Sequence, residues 1–186
     1  MLSGRRLELL DPSPLDIEIE DIAHGLSFLA RWNGQTIGEY PFSVAQHSLL
    51  VENIFSEQFP QMDNPSKLFA LLHDSAEYVI GDMISPLKSH LGNTYEELDE
   101  KLTRAICIRF NIPAKKIKII KRRVKLADKK AAWLEAIHLA GFSKQEADRI
   151  FGKHEEIKGY ENSLLPKPPF FVRKKFVNRF NDLYKL

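Results

Sequence analysis

The sequence predicts an all-α fold organised as one domain. Apolar residues recur at helical spacing along most of the chain, helix-capping signals precede several of these stretches, and no repeat or low-complexity tract separates them. A length of 186 residues suits one hydrophobic core. The content of 44% apolar and 28% charged residues is ordinary for a folded protein and argues against a disordered chain.

The first part of the chain is predicted to hold two helices joined by a loop. Residues 16–30 alternate between apolar and polar at first and then settle into helical spacing. The segment 33–42 carries two glycines and a proline, which is typical of a loop or a short hairpin. Ser43 then stands where an N-cap is needed, so a helix is expected over 43–58.

The rest of the chain is predicted to be helical with short breaks. Ser66 is expected to begin a helix, and the segments Thr94–Glu97 and Ser143–Glu146 both have the form of a capping box. Pro113 suits the first turn of a long helix, and Gly141 suits its C-terminal end. The helices expected here cover 66–80, 95–110, 113–141, a stretch from 143, and 170–186.

Charge and cysteine content exclude several classes of protein. The formal net charge is +2, which is too small for a dedicated nucleic-acid binder. The basic run 115–125 has an apolar stripe opposite its charges and is typical of an amphipathic helix, so no nucleic-acid partner is expected. Cys107 is the single cysteine, which excludes an intrachain disulfide and favours a reducing, cytoplasmic location. We expect neither a signal peptide nor a membrane span, since no apolar run approaches about 20 residues.

Three polar residues occupy positions where apolar residues are expected, and a fourth directly adjoins one of them. His47, His73 and Asp128 each fall on the apolar stripe of their predicted helix, and Asp74 directly follows His73. A buried carboxylate is costly unless it is paired or bound to a cation. Two imidazoles and two carboxylates from three helices therefore predict one shared divalent transition metal, a type of ion that suits this mixture of ligands.

Three segments resemble the HD-domain phosphohydrolase family: SVAQHS (43–48), LLHDSAEYVIGDMISPLK (71–88) and VKLADK (124–129). The resemblance covers residues 18–135 or so, with a C-terminal helical part at 143–186. It is strongest to the compact branch that removes phosphate from deoxynucleotides (the YfbR type) and to small phage enzymes that hydrolyse deoxyadenosine triphosphate. The chain is also similar to the HD phosphohydrolase of oxetanocin A biosynthesis, an antibiotic pathway.

The resemblance implies a single HD-type helical bundle over 1–186, with the metal between helices. It implies that His47, His73, Asp74 and Asp128 hold one divalent ion. Cobalt, manganese, nickel, iron and zinc all fit these ligands, and cobalt is favoured. The implied reaction is attack of a metal-bound water on phosphorus.

The same resemblance implies roles for two further carboxylates. Glu77 would assist proton transfer at the scissile phosphate. Asp82 would bind a sugar hydroxyl or a water of the metal. The ordinary alternatives are an exposed helix glutamate and a turn aspartate.

Four more residues are candidates for substrate binding. Arg31 and Lys88 would bind phosphate, as would Lys125, which lies three residues before Asp128. Trp32 would stack on the base or wall it off. The alternatives are a helix-end arginine, a core tryptophan and solvated lysines.

The expected function is therefore removal of phosphate from the 5′ end of nucleoside or deoxynucleoside mono-, di- or triphosphates, or of an adenine nucleoside analogue. One alternative is an HD-type phosphodiesterase acting on a cyclic or dinucleotide signal, which needs further histidines, and His90 is the spare one near the motif. A second alternative is a catalytically silent nucleotide-binding module. The apolar tail favours a homodimer or a larger homo-oligomer.

Overall fold

The computed structural model describes residues 1–155 and 159–185, and within these ranges its regular structure is helical. The prediction of an all-α fold is confirmed. The ten α-helices found there are α1 (Ile19–Phe28), α2 (Val44–Gln58), α3 (Asn64–Leu71), α4 (Glu77–Ile80), α5 (Ser85–Leu91), α6 (Asn93–Arg109), α7 (Ala114–His138), α8 (Lys144–Phe151), α9 (Glu161–Leu164) and α10 (Pro169–Leu183). Short 3₁₀ turns cover Pro14–Asp16 and Arg31–Gly34.

Several helix ends lie where local sequence signals place them. The Ser43 side chain accepts a hydrogen bond from the amide of Gln46 at the start of α2. Ser143 and Glu146 form a complete capping box at the start of α8. Gly141 follows the end of α7 with a φ of 75°, a conformation that glycine adopts without strain.

The helix predicted over 66–80 is wrong as one continuous element. Its N-cap is Asp63, not Ser66, and α3 ends at Leu71. Residues 72–76 form a turn with i to i+3 backbone hydrogen bonds, and α4 begins only after it. This break lies at the His-Asp pair.

The capping box predicted at Thr94–Glu97 is also wrong. Helix α6 already begins at Asn93, so Thr94 lies inside the first turn. The N-cap is Gly92, whose φ is 63°, and no side chain caps the helix. A glycine with a positive φ turns the chain two residues earlier than the threonine signal predicts.

Helix α2 lies at the centre of the bundle. It packs against α1, α3, α7 and α10, while α1 and α10 pack on one another. Its neighbours contribute Trp133 and Phe176 to a core in which both side chains are fully buried. The predicted apolar stripe of the tail is buried as well: Val172, Phe176, Phe180 and Leu183.

The connection between α1 and α2 is a closed loop. Ala30 and Ser43 form an isolated antiparallel bridge at its base. Trp32 and Asn33 have positive φ values of 56° and 53°, which are unusual for residues other than glycine. The loop thereby directs the Trp32 ring inward, at 5.6 Å between ring centroids from Phe142.

In the ranges covered by the structure, every helix is too short or too polar to cross a lipid bilayer.

Candidate metal centre

The bundle brings the predicted ligands to one point. His47 comes from α2, His73 and Asp74 from the 72–76 turn, and Asp128 from α7. Ligand atoms of His47, His73 and Asp128 all lie within 4.8 Å of one another, so this group could hold a metal ion. His47 is fully buried, and Asp128 has 15% of its side chain exposed.

Asp74 lies against the same two imidazoles. Its Oδ2 is 3.4 Å from His47 Nε2 and 3.0 Å from His73 Nε2. It is not in the group whose ligand atoms all lie within 4.8 Å. Asp74 is therefore placed beside the centre on the histidine side, in contact with two of its three members.

Hydrogen bonds fix which nitrogen of each histidine faces the centre. His47 Nδ1 lies 2.5 Å from Glu135 Oε1, and His73 Nδ1 lies 3.0 Å from the carbonyl oxygen of Ala70. Both partners are acceptors, so each Nδ1 carries the proton. In a neutral imidazole the remaining Nε2 then presents a lone pair, which is the state that binds a metal.

Neither Nε2 atom is satisfied by the protein. His47 Nε2 has Asp128 Oδ1 at 3.2 Å, yet His47 Nε2 and His73 Nε2 are both buried and neither makes a hydrogen bond of acceptable angle. Buried polar atoms rarely remain without a partner. Two such nitrogens beside two carboxylates form a donor set that suits a cation.

The electrostatic field also favours a positive charge at this point. Burial and the nearby Arg31 lower the pKa of His47, but three carboxylates outweigh both effects and hold that pKa well above 6.5. These carboxylates are Glu135, Asp128 and Asp74. Burial raises the pKa of Asp74, yet the two histidines keep it well below its ordinary value. Without an ion, a proton on His47 thus supplies the positive charge.

Glu135 is a residue of this site that is not among the predicted ones. It is fully buried on α7, and it binds His47 through one oxygen and the Arg31 and Trp32 side chains through the other. Its signal in the sequence was a lone carboxylate within the apolar run Ala131–Ala136, seven residues after Asp128 and so on the same helix face.

Arg31 and Trp32 lie beside the centre, with their polar atoms turned toward Glu135. The Trp32 indole nitrogen donates to Glu135 Oε2 at 2.9 Å. Arg31 contacts the same oxygen at 3.2 Å and Asp82 Oδ2 at 3.6 Å. Their roles in phosphate and base binding stay predictions, and so does the role of Asp82.

Glu77 and Lys88 form a second pair close by. Glu77 is 3% exposed; its Oε1 accepts a hydrogen bond from Lys88 Nζ at 3.1 Å, and its Oε2 is buried without a partner. Burial, Asp74 and Asp82 raise the pKa of Glu77 to about 8. Glu77 is thus not the exposed helix glutamate of the alternative interpretation. At neutral pH this side chain is able to carry and release a proton.

Lys125 is the most exposed of the predicted substrate contacts. Its Nζ lies 2.6 Å from Asp128 Oδ2, while 67% of its side chain is exposed. The ion pair covers the outer oxygen of a predicted ligand. Lys125 therefore lies at the entrance of the site, and phosphate binding by it stays a prediction.

Comparison with known proteins gives a family but no activity. No protein-family model matches the chain. The chain is 54% identical over 185 residues to an uncharacterized protein of Rhodobacter capsulatus, and the match covers 100% of the chain and 94% of that protein. The chain belongs to the same family as this Rhodobacter capsulatus protein.

Proposed function

We propose that the chain is a metal-dependent phosphohydrolase that removes phosphate from the 5′ end of a nucleotide. The observation that carries the proposal is the pair of buried Nε2 atoms on His47 and His73. In each ring the hydrogen bond is made by Nδ1, so Nε2 has no hydrogen-bond partner. Each Nε2 also lies next to the carboxylate of Asp74 or Asp128. The resemblance of these segments to HD-domain phosphohydrolases supplies the reaction class.

The donor set fits a divalent transition metal held by His47, His73, Asp74 and Asp128. Imidazole and carboxylate together suit manganese, iron, cobalt, nickel or zinc, and we propose cobalt as the first ion to test. When bound, such an ion lowers the pKa of water and offsets the charge of phosphate.

The charges around the centre explain why an anionic substrate would need the ion. Five carboxylates lie in the connected network, and three cationic side chains face them. The carboxylates are Asp74, Glu77, Asp82, Asp128 and Glu135, and the cations are Arg31, Lys88 and Lys125. At neutral pH Glu77, with a pKa of about 8, is largely protonated, and a proton on His47 balances the remaining negative charge when no ion is bound. A divalent ion would take the place of that proton and add positive charge at the centre, so phosphate binding should depend on metal binding.

The remaining residues have proposed roles that their positions allow. Glu77, with a pKa of about 8, would donate a proton to the leaving oxygen or accept one from water. Lys88 would leave Glu77 to bind a phosphate oxygen, which would further raise the pKa of Glu77 and favour its protonated form. Lys125 at the entrance would bind an outer phosphate.

The test is a screen of phosphate release. Nucleoside and deoxynucleoside mono-, di- and triphosphates would be incubated with protein loaded with cobalt, manganese, nickel, iron or zinc, with detection of phosphate, pyrophosphate and triphosphate. The Asp74→Ala variant should lose at least about 1,000-fold in rate, since it removes one ligand of the ion. Asp182→Asn changes an exposed aspartate on α10 and should react as the wild type does.

Three results would contradict the proposal. Absence of release with every metal, while a nucleotide still binds, would favour the silent module. Equal rates in Asp74→Ala and the wild type would place the reaction elsewhere. Two tightly bound ions per chain, with cleavage of cyclic or dinucleotide substrates, would favour a phosphodiesterase. The spare histidine near the motif, His90, is exposed on α5 and lies outside the ligand group of His47, His73 and Asp128.

A further inference from the structure

We infer that Glu135 is a positioning residue of the metal centre: it holds His47 in the tautomer that presents Nε2 to the ion, and it ties the Arg31–Trp32 turn to the same centre. The inference rests on the metal site of the proposed function. It assigns a role to a residue that lies outside the four proposed ligands.

The burial of Glu135 calls for a specific explanation. Its side chain has no exposed surface, and an isolated buried carboxylate is among the most costly groups in a protein interior. Its Oε2 accepts from the Arg31 guanidinium and the Trp32 indole, two groups that can only donate, so Glu135 serves there as the carboxylate partner of an ion pair and as a hydrogen-bond acceptor.

An acceptor at Nδ1 leaves one neutral tautomer for His47. Because Glu135 Oε1 lies 2.5 Å from Nδ1, that nitrogen must be the donor, and the lone pair must lie on Nε2. A negative acceptor also makes the imidazole a stronger electron donor toward a metal. The ring cannot turn over without breaking this bond inside a fully packed site.

The two histidines are held in different ways. His73 Nδ1 donates to the neutral carbonyl oxygen of Ala70, three residues earlier in the chain. His47 donates to a charged residue that lies 88 positions away on another helix. Loss of Glu135 should therefore affect His47 and leave the tautomer of His73 unchanged.

The second oxygen of Glu135 holds the loop between α1 and α2. Glu135 Oε2 accepts from Trp32 Nε1 at 2.9 Å and from the Arg31 guanidinium at 3.2 and 3.3 Å. Trp32 has a backbone conformation that is costly for a residue other than glycine, with φ at 56°. The contacts with Glu135 help to offset that cost and keep Arg31 within 3.6 Å of Asp82.

Glu135→Gln is the sharpest substitution for a test. Glutamine keeps the size of the side chain and one acceptor, but its amide nitrogen cannot accept from Arg31 and Trp32. We expect cobalt affinity, measured by equilibrium dialysis, to fall about 10- to 100-fold. Return of affinity in Glu135→Asp, which restores the charge at a shorter reach, would support the role of the carboxylate.

Glu52→Gln is the matched control. Glu52 is 3% exposed on α2, the helix that carries His47, and it forms a two-fold ion pair with Arg179. This variant also removes a buried, arginine-paired carboxylate, but one that lies outside the contacts of His47. Its stability should fall while its cobalt affinity stays within about two-fold of the wild type.

The second measurement needs no variant. In wild-type protein labelled with ¹⁵N at histidine and loaded with zinc, which is diamagnetic, His47 should show a protonated Nδ1 and a metal-bound Nε2. A metal-bound Nδ1 would overturn the inference, and so would unchanged cobalt affinity in Glu135→Gln. Failure of the wild type to bind cobalt or zinc would instead contradict the proposed function.

Discussion

Replacing Glu77 with glutamine should make the stability of the metal-free protein less dependent on pH. Glu77 is 3% exposed, and burial together with Asp74 and Asp82 raises its pKa from 4.5 to about 8. The folded state thus prefers the protonated carboxyl. Its contribution to stability is complete below pH 4.5 and is lost as the pH rises toward 8. Glutamine resembles the protonated form and does not ionise.

The size of the effect follows from the pKa change. Each pKa unit corresponds to about 1.4 kcal/mol, so the loss in the wild type is at most about 5 kcal/mol. Asp74 and Asp82 adjust their own protonation in response, which reduces the observed value. We expect the unfolding free energy of Glu77→Gln to lie within about 1 kcal/mol of the wild type at about pH 5 and to exceed it by at least about 2 kcal/mol at about pH 8.5.

Urea unfolding followed by circular dichroism, in the presence of a chelator, measures this difference. Glu97→Gln is the control, because Glu97 is exposed on α6 and its replacement removes one negative charge from the surface. A Glu77→Gln variant whose difference from the wild type stays constant between the two pH values would refute the reasoning. A difference that grows in favour of the wild type would refute it as well.

Three further predictions concern packing, ion pairing and thiol chemistry. Gly25→Ala would place a Cβ 2.9 Å from Tyr78 Cβ and 3.0 Å from the Tyr78 carbonyl oxygen. Urea unfolding should show a free energy of unfolding that is lower by about 1–2 kcal/mol, despite the better helix propensity of alanine. A higher free energy of unfolding would contradict the close approach of α1 and α4. Arg179→Leu removes both short hydrogen bonds to the buried Glu52 and should lower the free energy of unfolding by about 2–3 kcal/mol. Arg179→Lys should lower it by less. Equal losses in the two variants would show that the paired geometry is unimportant. Burial raises the pKa of Cys107 to about 11. At about pH 8, iodoacetamide should therefore modify the folded protein at least about 100-fold more slowly than the urea-unfolded protein. Equal rates would contradict the burial of Cys107. Because the thiolate is favoured only after unfolding, the unfolding free energy should also fall above pH 9.

Features that depend on neighbouring residues could be predicted from the sequence. The Ser43 cap and the Ser143–Glu146 box involve partners three residues away, and both form as expected. The stripe of α10 follows from helical spacing alone. The convergence of His47 and Asp128 could be anticipated for a related reason, since a polar residue on a buried face needs a polar partner.

Features that depend on distant partners could not be predicted in the same way. Glu135 binds residues that lie 88, 103 and 104 positions away, and no spacing rule connects them. Arg31 and Trp32 are candidates for substrate binding, and that role stays a prediction. The bridge between Ala30 and Ser43 closes the loop, and the polar atoms of both side chains contact Glu135 on α7, a partner that the sequence did not indicate.

The break between α3 and α4 shows how a site can override a local helix signal. Neighbouring residues on an α-helix point about 100° apart, so on a continuous helix the side chains of His73 and Asp74 would be directed to different sides. The turn at 72–76 solves this conflict with tighter i to i+3 hydrogen bonds, such as the 3.1 Å bond from the Glu77 amide to the Asp74 carbonyl oxygen. As a result, Asp74 Oδ2 reaches both His73 and His47. Two adjacent residues that both need the inner face were therefore a signal against an unbroken helix over 66–80, and the conflict lies at the proposed ligands.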